Sequence, residues 1–314
     1  EAVRGTTSPN PPVGAVVLDA EGKVAGVGAT SPPGGAHAEV RALAAAGDRA
    51  RGGTAVVTLE PCNHTGRTGP CSHALVDAGI ARVRYVNPDP NPQATGGAEY
   101  LVQHGVDVAR IEARTAALEP WLAATRLGRP HVTLKFAQSL DGFTAAADGT
   151  SQWITGEAAR ADVHRDRLLR DAIIIGTGTA LADDPSLTAR PGTEVPAGRQ
   201  PRRVVVGSRD VTGEAHNLVR LGFEQYPTLE EALAALWDTG ARDVLIEGGA
   251  GLAAAAVGAG LVDAVRAYVA PLILGDGRGV LHGWSASTLV NAPRFETGDV
   301  TTFGADVLLE MWRA

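Results

Sequence analysis

Residues 58–75 read TLEPCNHTGRTGPCSHAL, and the two cysteines in that stretch decide how the chain on either side must fold. Thr54–Leu59 (TAVVTL) has the composition of a strand, which Glu60-Pro61 ends. Pro70-Cys71 opens a helix that runs to Ala78 and is stopped by Gly79. Upstream, Ala36–Ala46 is a second helix, rich in Ala and Leu and closed by Gly47, with His37-Ala38-Glu39 in its first turn. One His and two Cys in a cytosolic protein read as a metal site rather than a disulfide. Three protein ligands leave the fourth tetrahedral position of zinc to water, the arrangement of a catalytic site. His37 and Cys71 lie near helix N-termini, where the macrodipole favours anions. Zinc lowers the pKa of a bound water to about 7. Glu39, two positions after His37, can take that proton and pass it to a leaving amine without ligating the metal. His64, inside the loop, keeps a second arrangement open, a closed structural site of two cysteines and two histidines. His73, His104, His131, His164, His216 and His282 read as surface or satisfied histidines.

Working outward, Val13–Leu18 and Val24–Gly28 flank Asp19-Ala20-Glu21-Gly22 as a hairpin. Arg82–Val86 supplies a strand, Asp89-Pro90-Asn91-Pro92 a turn, Gly97–His104 a helix and Val106–Ala109 another strand, which is alternating α/β architecture. Glu119–Pro130 contains Pro120 and Gly128-Arg129-Pro130 and reads as a helical connector, so the expected divisions are 1–120, 121–129 and 130–314. Beyond it, strands at His131–Phe136, Ala172–Gly176, Arg203–Val206, Asp243–Glu247 and Ala264–Ala270 alternate with helices at Glu157–Leu169, Leu229–Trp237 and Leu252–Ala259, giving a second open sheet. Thr212–Thr228 is poorly patterned where such a domain should add a strand, and the abrupt start leaves room for a helix ahead of Thr6. Residues absent from the sequence are expected beside both places.

Hydrophobic residues at 44% and charged residues at 20% allow real cores and exclude intrinsic disorder. No apolar run approaches the ~20 residues that span a bilayer, and EAVRGTTSPN lacks the apolar region of a signal peptide, so a cytoplasmic place is the expectation and a membrane partner is not. The net charge of −7 is shared: residues 1–120 hold 10 Lys/Arg against 12 Asp/Glu, and the rest hold 18 against 23. Neither part presents the basic field that nucleic acid requires.

The His37-x-Glu39 and Pro-Cys elements resemble the signature of zinc nucleobase deaminases. Eight residues separate Cys62 from Cys71 where that superfamily has two, and this longer loop is similar to the deaminase domain of the bifunctional riboflavin-biosynthesis deaminase/reductases. Ser8-Pro9-Asn10-Pro11, Val13-Gly14, Ala36-His37-Ala38-Glu39 and Asp89-Pro90-Asn91-Pro92 carry the same resemblance. It implies a cytidine-deaminase-like three-layer α/β domain in which Asn10, His64, Arg67 and Asp89 contact the pyrimidine or ribose phosphate of the substrate. Arg67 suits a phosphate, being a planar, permanent cation.

From Pro130 onward the sequence resembles the second domain of that family. The resemblance rests on Leu134-Lys135, Ser139-Leu140-Asp141-Gly142, Ser151-Gln152-Trp153-Ile154-Thr155, Gly176-Thr177-Gly178-Thr179, Ala182-Asp183-Asp184-Pro185, Leu187-Thr188 and Ile246-Glu247-Gly248-Gly249. It implies a dihydrofolate-reductase-like domain that binds NADPH through Gln138, Trp153, Thr179, Asp183, Ser208 and the run Gly249, Ala250, Gly251, Leu252, Ala253, Ala254 and Ala255. It also places Ser151, Arg167, Leu187, Arg190 and Glu247 at the sugar phosphate, with Lys135 near the reacting ribose. Read from the residues alone, Gly248-Gly249-Ala250-Gly251 offers free backbone N–H groups between a strand and a helix, where a pyrophosphate can approach. Gly176-Thr177-Gly178 is not an ordinary dinucleotide fingerprint, because Leu181 occupies the place of its third glycine. Ser208-Arg209 follows a strand and could hold the cofactor 2′-phosphate.

The resemblance spans nearly the whole sequence and implies one substrate, 2,5-diamino-6-ribosylamino-4(3H)-pyrimidinone 5′-phosphate. Its ring loses an amine by zinc-dependent hydrolysis, and its ribosyl group is then reduced by NADPH to ribityl. Self-association through the second part is a further expectation. Two rivals share the zinc ligands: a nucleic-acid-editing deaminase, against which the acidic balance argues, and a noncatalytic protein stabilised by its metal.

Overall fold

Short β-branched runs build the first sheet: β1 (Gly14–Leu18), β2 (Val24–Ala29), then after helix α1 (Ala38–Ala46) comes β3 (Thr54–Leu59). Helix α2 (Cys71–Asp77), β4 (Arg82–Asn87), α3 (Gly97–Gln103), β5 (Asp107–Arg110) and α4 (Glu119–Leu127) follow. The computed structural model describes residues 3–64, 69–190 and 200–313. It divides into two units, Glu1–Gly128 and Arg129–Ala314.

In the first unit the strand order is β2-β1-β3-β4-β5, with β1 antiparallel to both neighbours and β3, β4 and β5 parallel. Helix α1 lies directly on β2. A Cβ at Gly26 would stand 2.2 Å from the Ala42 carbonyl oxygen, and one at Gly28 would stand 2.1 Å from that of Ala38. Only glycine permits this approach, and the helix answers with Ala38, Ala42 and Ala46, all buried. Helix α4 joins the same core. Leu118, Trp121 and Leu122 pack with Val17, Val57, Leu59, Leu75 and Leu101, so the stretch whose Pro and Gly residues suggest a connector is core material of this unit.

The second unit contains β6 (His131–Ser139), β7 (Phe143–Ala146), α5 (Glu157–Leu168), β8 (Ala172–Gly176), α6 (Thr177–Asp183) and β9 (Arg202–Val206). It continues through α7 (His216–Leu221), β10 (Glu224–Tyr226), α8 (Leu229–Asp238), β11 (Asp243–Ile246), α9 (Ala250–Gly258) and β12 (Ala264–Ala270). It ends in β13 (Gly277–Gly279), β14 (Phe295–Phe303) and β15 (Asp306–Arg313). The main sheet has eight strands in the order β10-β9-β8-β11-β6-β12-β15-β14, parallel from β10 to β12, with β15 antiparallel to β12 and β14. Its central strands are covered on both faces, which is why Ile173, Ile174 and Ile175 form an unbroken apolar run. Thr228 caps α8 by accepting from the Glu231 backbone at 3.2 Å, and its hydroxyl also meets the Glu231 carboxylate.

Several elements differ from the sequence reading. The strand expected within Thr212–Thr228 is β10, only three residues long and preceded by α7. Gly176-Thr177-Gly178-Thr179 opens a helix, α6, and α9 begins two residues before Leu252. β14 and β15 are additional. β14 pairs with an irregularity between Thr297 and Val300, and Gly298 lies under the Trp312 ring, where a Cβ would come within 1.2 Å of ring carbon. Among the described residues, no helix is long and apolar enough to cross a membrane.

Candidate functional site

The first site gathers at the ends of α1, β3 and α2. His37 is the residue capping α1, with extended backbone, and Cys71 is the first residue of α2. Cys62 follows β3 by three residues, held there because Asn63 N–H donates to the Ala94 carbonyl at 3.0 Å and Ser72 N–H donates to the Cys62 carbonyl at 3.2 Å. Gly97 makes this possible, since a Cβ at that position would lie 1.7 Å from the Pro61 oxygen. The glutamate between strand and cysteine, Glu60, accepts from Ala98 N–H at the start of α3 at 3.1 Å.

His37 Nδ1 stands 3.3 Å from Cys71 Sγ and 3.6 Å from Cys62 Sγ, and the three ligand atoms all lie within 4.8 Å of one another. The two sulfurs cannot both ionise unaided at this distance. The hydrogen bond between them takes Cys62 down to about 4, while it and burial drive Cys71 upward. Cys62 in turn raises His37. A divalent cation resolves the competition, and an imidazole with two thiolates suits zinc. The donor set therefore fits the metal. His64 is not in this group.

Glu39 is buried beside the group but outside it, and burial foremost pushes its carboxyl up to about 7. A cavity opens here, lined by Pro9, Asn10, His37, Glu39, Glu60, Cys62, His64, Asp89, Asn91 and Trp121 among others. Asn10, His64 and Asp89 thus come together with the metal donors, whereas Arg67 lies outside the described residues. Asp89 accepts from Asn91 N–H at 2.8 Å, and burial raises its carboxyl. His64 Nδ1 is buried without a hydrogen-bond partner. Asn91 and Trp121 are among the wall residues that the sequence did not mark. Asn91 sits inside the Asp89-Pro90-Asn91-Pro92 turn, and Trp121, whose Nε1 donates to the Pro9 carbonyl at 2.9 Å, sits in the expected connector.

In the second unit most of the residues expected to bind cofactor or substrate gather at the C-terminal ends of β9, β8, β11 and β6, the place where open parallel sheets bind ligands. Thr177 and Thr179 follow β8, Ser208 and Arg209 follow β9, and Glu247 with Gly248-Gly249 follows β11. A Cβ at Gly249 would meet Thr179 Oγ1 at 2.9 Å, and α9 begins there with no side chain capping its first turn. Arg209 Nε reaches Thr177 Oγ1 at 3.4 Å. Small residues, hydroxyls, uncapped N–H groups and a cation along one strand-end row fit an anionic dinucleotide. Gln138, at the far end of β6, is half-buried, and Asp183, at the end of α6, is exposed.

Arg167 of α5 grips Glu247 through two bonds of 2.6 and 2.7 Å and donates to the Thr188 carbonyl at 2.9 Å. This pairing takes Glu247 down to about 2 against the opposing effect of burial. Arg167 is therefore engaged, whereas Arg190 is exposed. Leu187 has φ 46° and its side chain is buried in the core beside Ile173 and Ile175, so any ligand contact there would use its backbone. Ser151 is exposed, and Trp153, 68% exposed, carries the Arg160 guanidinium 4.6 Å from its ring centre. Lys135 is partly accessible but closely surrounded by protein, and burial lowers its pKa.

Two family models match the sequence: the cytidine and deoxycytidylate deaminase zinc-binding region over residues 1–87, and the RibD C-terminal domain over 130–309. The protein is similar to the riboflavin biosynthesis protein RibD of Corynebacterium ammoniagenes, with 59% identity over 306 residues covering 94% of this chain and 91% of that one. RibD of Mycobacterium tuberculosis strain H37Rv is 48% identical over 316 residues, covering 98% and 93%. Among solved structures, Acinetobacter baumannii RibD aligns with a TM-score of 0.87 at 37% identity, covering 100% of this chain and 96% of that one. The Thermotoga maritima diaminohydroxyphosphoribosylaminopyrimidine deaminase/5-amino-6-(5-phosphoribosylamino)uracil reductase aligns with a TM-score of 0.89 at 31% identity, covering 100% and 95%.

Proposed function

The chain belongs to the RibD family of bifunctional riboflavin-biosynthesis enzymes, and from that premise we propose that its first unit deaminates 2,5-diamino-6-ribosylamino-4(3H)-pyrimidinone 5′-phosphate and its second reduces the ribosyl group of the product. It is an enzyme of two activities, a zinc-dependent deaminase and a reductase, acting on a small molecule. The observation that carries the reading is the convergence of His37, Cys62 and Cys71 with buried Glu39 left outside the group.

His37, Cys62 and Cys71 would hold the zinc ion, whose chemistry when bound is to make water a nucleophile near neutral pH. Glu39 takes the proton of the attacking water and returns it to the amino nitrogen on C2 of the ring, which leaves as ammonia. A carboxyl poised near neutrality suits both directions of that transfer. Asn10, His64, Asp89 and, by family resemblance, Arg67 hold the pyrimidine and ribose phosphate. Trp121 fixes the Pro9-Asn10 segment from behind.

In the second unit Thr179, Ser208, Gln138, Trp153, Asp183 and the run 249–255 would hold NADPH, which supplies hydride to C1 of the ribosyl group. Arg209 is assigned to its 2′-phosphate. Comparing NADPH with NADH in Arg209→Gln tests this, and an unchanged preference removes the residue from the account. Ser151, the Leu187 backbone, Arg190, Arg167 and Glu247 receive the sugar phosphate, the last two paired with each other. Lys135 donates the proton that the ring-opened nitrogen takes up as hydride reaches C1.

Self-association through the second unit belongs to the same reading, supported by exposed Ile273, Leu289 and Val290 and tested by light scattering. A cytoplasmic place is supported by two free thiols kept as ligands and tested by cell fractionation. The test of the whole is to supply the diaminopyrimidine phosphate with and without NADPH, following ammonia release and NADPH oxidation separately. Both signals are expected, the second requiring the first, and silence in both refutes the assignment.

A further inference from the structure

The protein has 26 arginines and only two lysines, Lys23 and Lys135. Lys23 is exposed in the β1–β2 hairpin, whereas Lys135 lies half-buried in the middle of β6. Where an arginine-rich protein keeps a lysine, the distinguishing property is a proton that can leave, since a guanidinium does not titrate.

Register sets the neighbours of Lys135. Leu134 pairs with Ile246, so Glu247 comes next to Lys135 on one side. Lys135 itself pairs with Arg266 on the other, and Arg266 with Glu310. The sheet thus carries a row Glu247, Lys135, Arg266, Glu310, with α5 contributing Asp162, Asp166 and Arg167 to the same cluster. Two cations standing opposite each other on neighbouring strands repel.

The carboxylates in this cluster are claimed by arginines. Arg167 holds Glu247 at 2.6 Å, and Arg170 holds Asp166 at 2.8 Å. Arg266 pairs with Glu310 and holds Asp162 at 2.9 Å, with its Nε 3.9 Å from Asp166. Among the described residues, no carboxylate lies within ion-pair distance of Lys135, whose nitrogen stands 5.8 Å from the centre of the Tyr268 ring. The groups acting on it are Glu247, just after β11, Arg167 and Asp166 of α5, and Arg266 and Tyr268 of β12. Burial and the two arginines disfavour its charge, and the two carboxylates oppose them.

We propose that Arg266 is a positioning residue for the reductase reaction: by standing opposite Lys135 and claiming Asp162 and Glu310, it leaves the Lys135 ammonium unpaired and ready to give up its proton. This rests on the reading that Lys135 serves the reductase step. Hydride from NADPH adds to C1 at the C=N bond of the ring-opened substrate, the π pair moves to nitrogen, and nitrogen takes the Lys135 proton. NADPH becomes NADP⁺, and the lysine amine recovers a proton from water.

The sequence itself supplies the probe. Protein labelled with ε-¹³C lysine gives two side-chain signals, with Lys23 as internal reference. The Lys135 midpoint is expected below that of Lys23. Arg266→Met should raise it by about one pH unit or more, a tenfold or larger change in proton affinity, because a cation leaves and its carboxylates are freed. Arg266→Lys should restore it toward wild type. The basic limb of the reductase kcat profile should move upward by the same amount, with ammonia release unchanged. Glu310→Gln, milder at a 25% exposed side chain, should move the midpoint down and serves if Arg266→Met does not fold. A midpoint and limb that stay put while kcat falls would make Arg266 structural and overturn the proposal, as would an upward or absent shift in Glu310→Gln. Reductase turnover surviving in Lys135→Met would overturn the underlying role of Lys135, a failure told apart because the lysine midpoint would still follow Arg266.

Discussion

The deaminase and reductase sites settle their charges in opposite ways. In the first, two sulfurs compete for one proton and an imidazole and a buried carboxyl wait beside them, so the cluster is electrically complete only around a cation. In the second, arginine–carboxylate pairs neutralise one another within the fold, and one lysine is left over. The first site is therefore a socket that an ion must finish, whereas the second is finished by the protein itself. Disturbances that empty the first should leave the second intact.

Chelation, or Cys71→Ala, is the hardest blow to this contrast. Ammonia release should fall by on the order of a thousandfold, since a bound metal contributes several kcal/mol to such a step. NADPH oxidation with already deaminated substrate should be unchanged, and a parallel fall would break the contrast. Glu39→Gln should cost roughly 10²- to 10⁴-fold in ammonia release with zinc content preserved by elemental analysis. Lost zinc would make Glu39 part of the socket.

Acid sharpens the other half. Glu247 titrates at about 2 in the fold against an ordinary value of 4.5, so its contribution is fully present above 4.5 and is lost as pH falls through 2. At most roughly 3 kcal/mol is at stake, given the linkage between pKa and stability. Denaturant unfolding of wild type should weaken over that window more steeply than that of Glu247→Gln, and equal slopes would refute the pairing as an acid-labile element. Gly28→Ala should lower the stability of the first unit by about 1–3 kcal/mol, through collision with α1, and leave the reductase rate alone, as denaturant unfolding and NADPH oxidation would show. The smallest effect belongs to Trp121→Phe. Losing its bond to Pro9 costs about 1 kcal/mol, read as a severalfold rise in KM for deamination with kcat nearly unchanged.

How much of this was legible in the sequence depends on the range of each interaction. Metal donors must be particular residue types at helix and strand ends, so His37, Cys62, Cys71 and Glu39 stood out from a few dozen residues, and the bounds of α1, β3 and α2 follow from nearby glycines and prolines. The Arg167–Glu247 pair joins residues 80 apart, and nothing local marks an arginine as already engaged. Leu187 reads as a possible contact from its motif, but its side chain belongs to the core. Pro120 and Gly128-Arg129-Pro130 disguised α4 as linker although its apolar face completes the first core. β14 escaped because a mostly exposed strand of Thr, Gly and Asp lacks the alternation that burial imposes.

The eight-stranded sheet also has two outermost strands whose outward N–H and C=O groups could recruit a stray extended segment. At one end β10 is three residues long, too short to template an addition. At the other, the irregularity at Gly298-Asp299 interrupts the ladder, with Trp312 laid across the glycine. The outer rims of the reductase sheet are thereby blunted against fibril-like stacking, so whatever association this unit undergoes should stay clear of edge-to-edge strand addition.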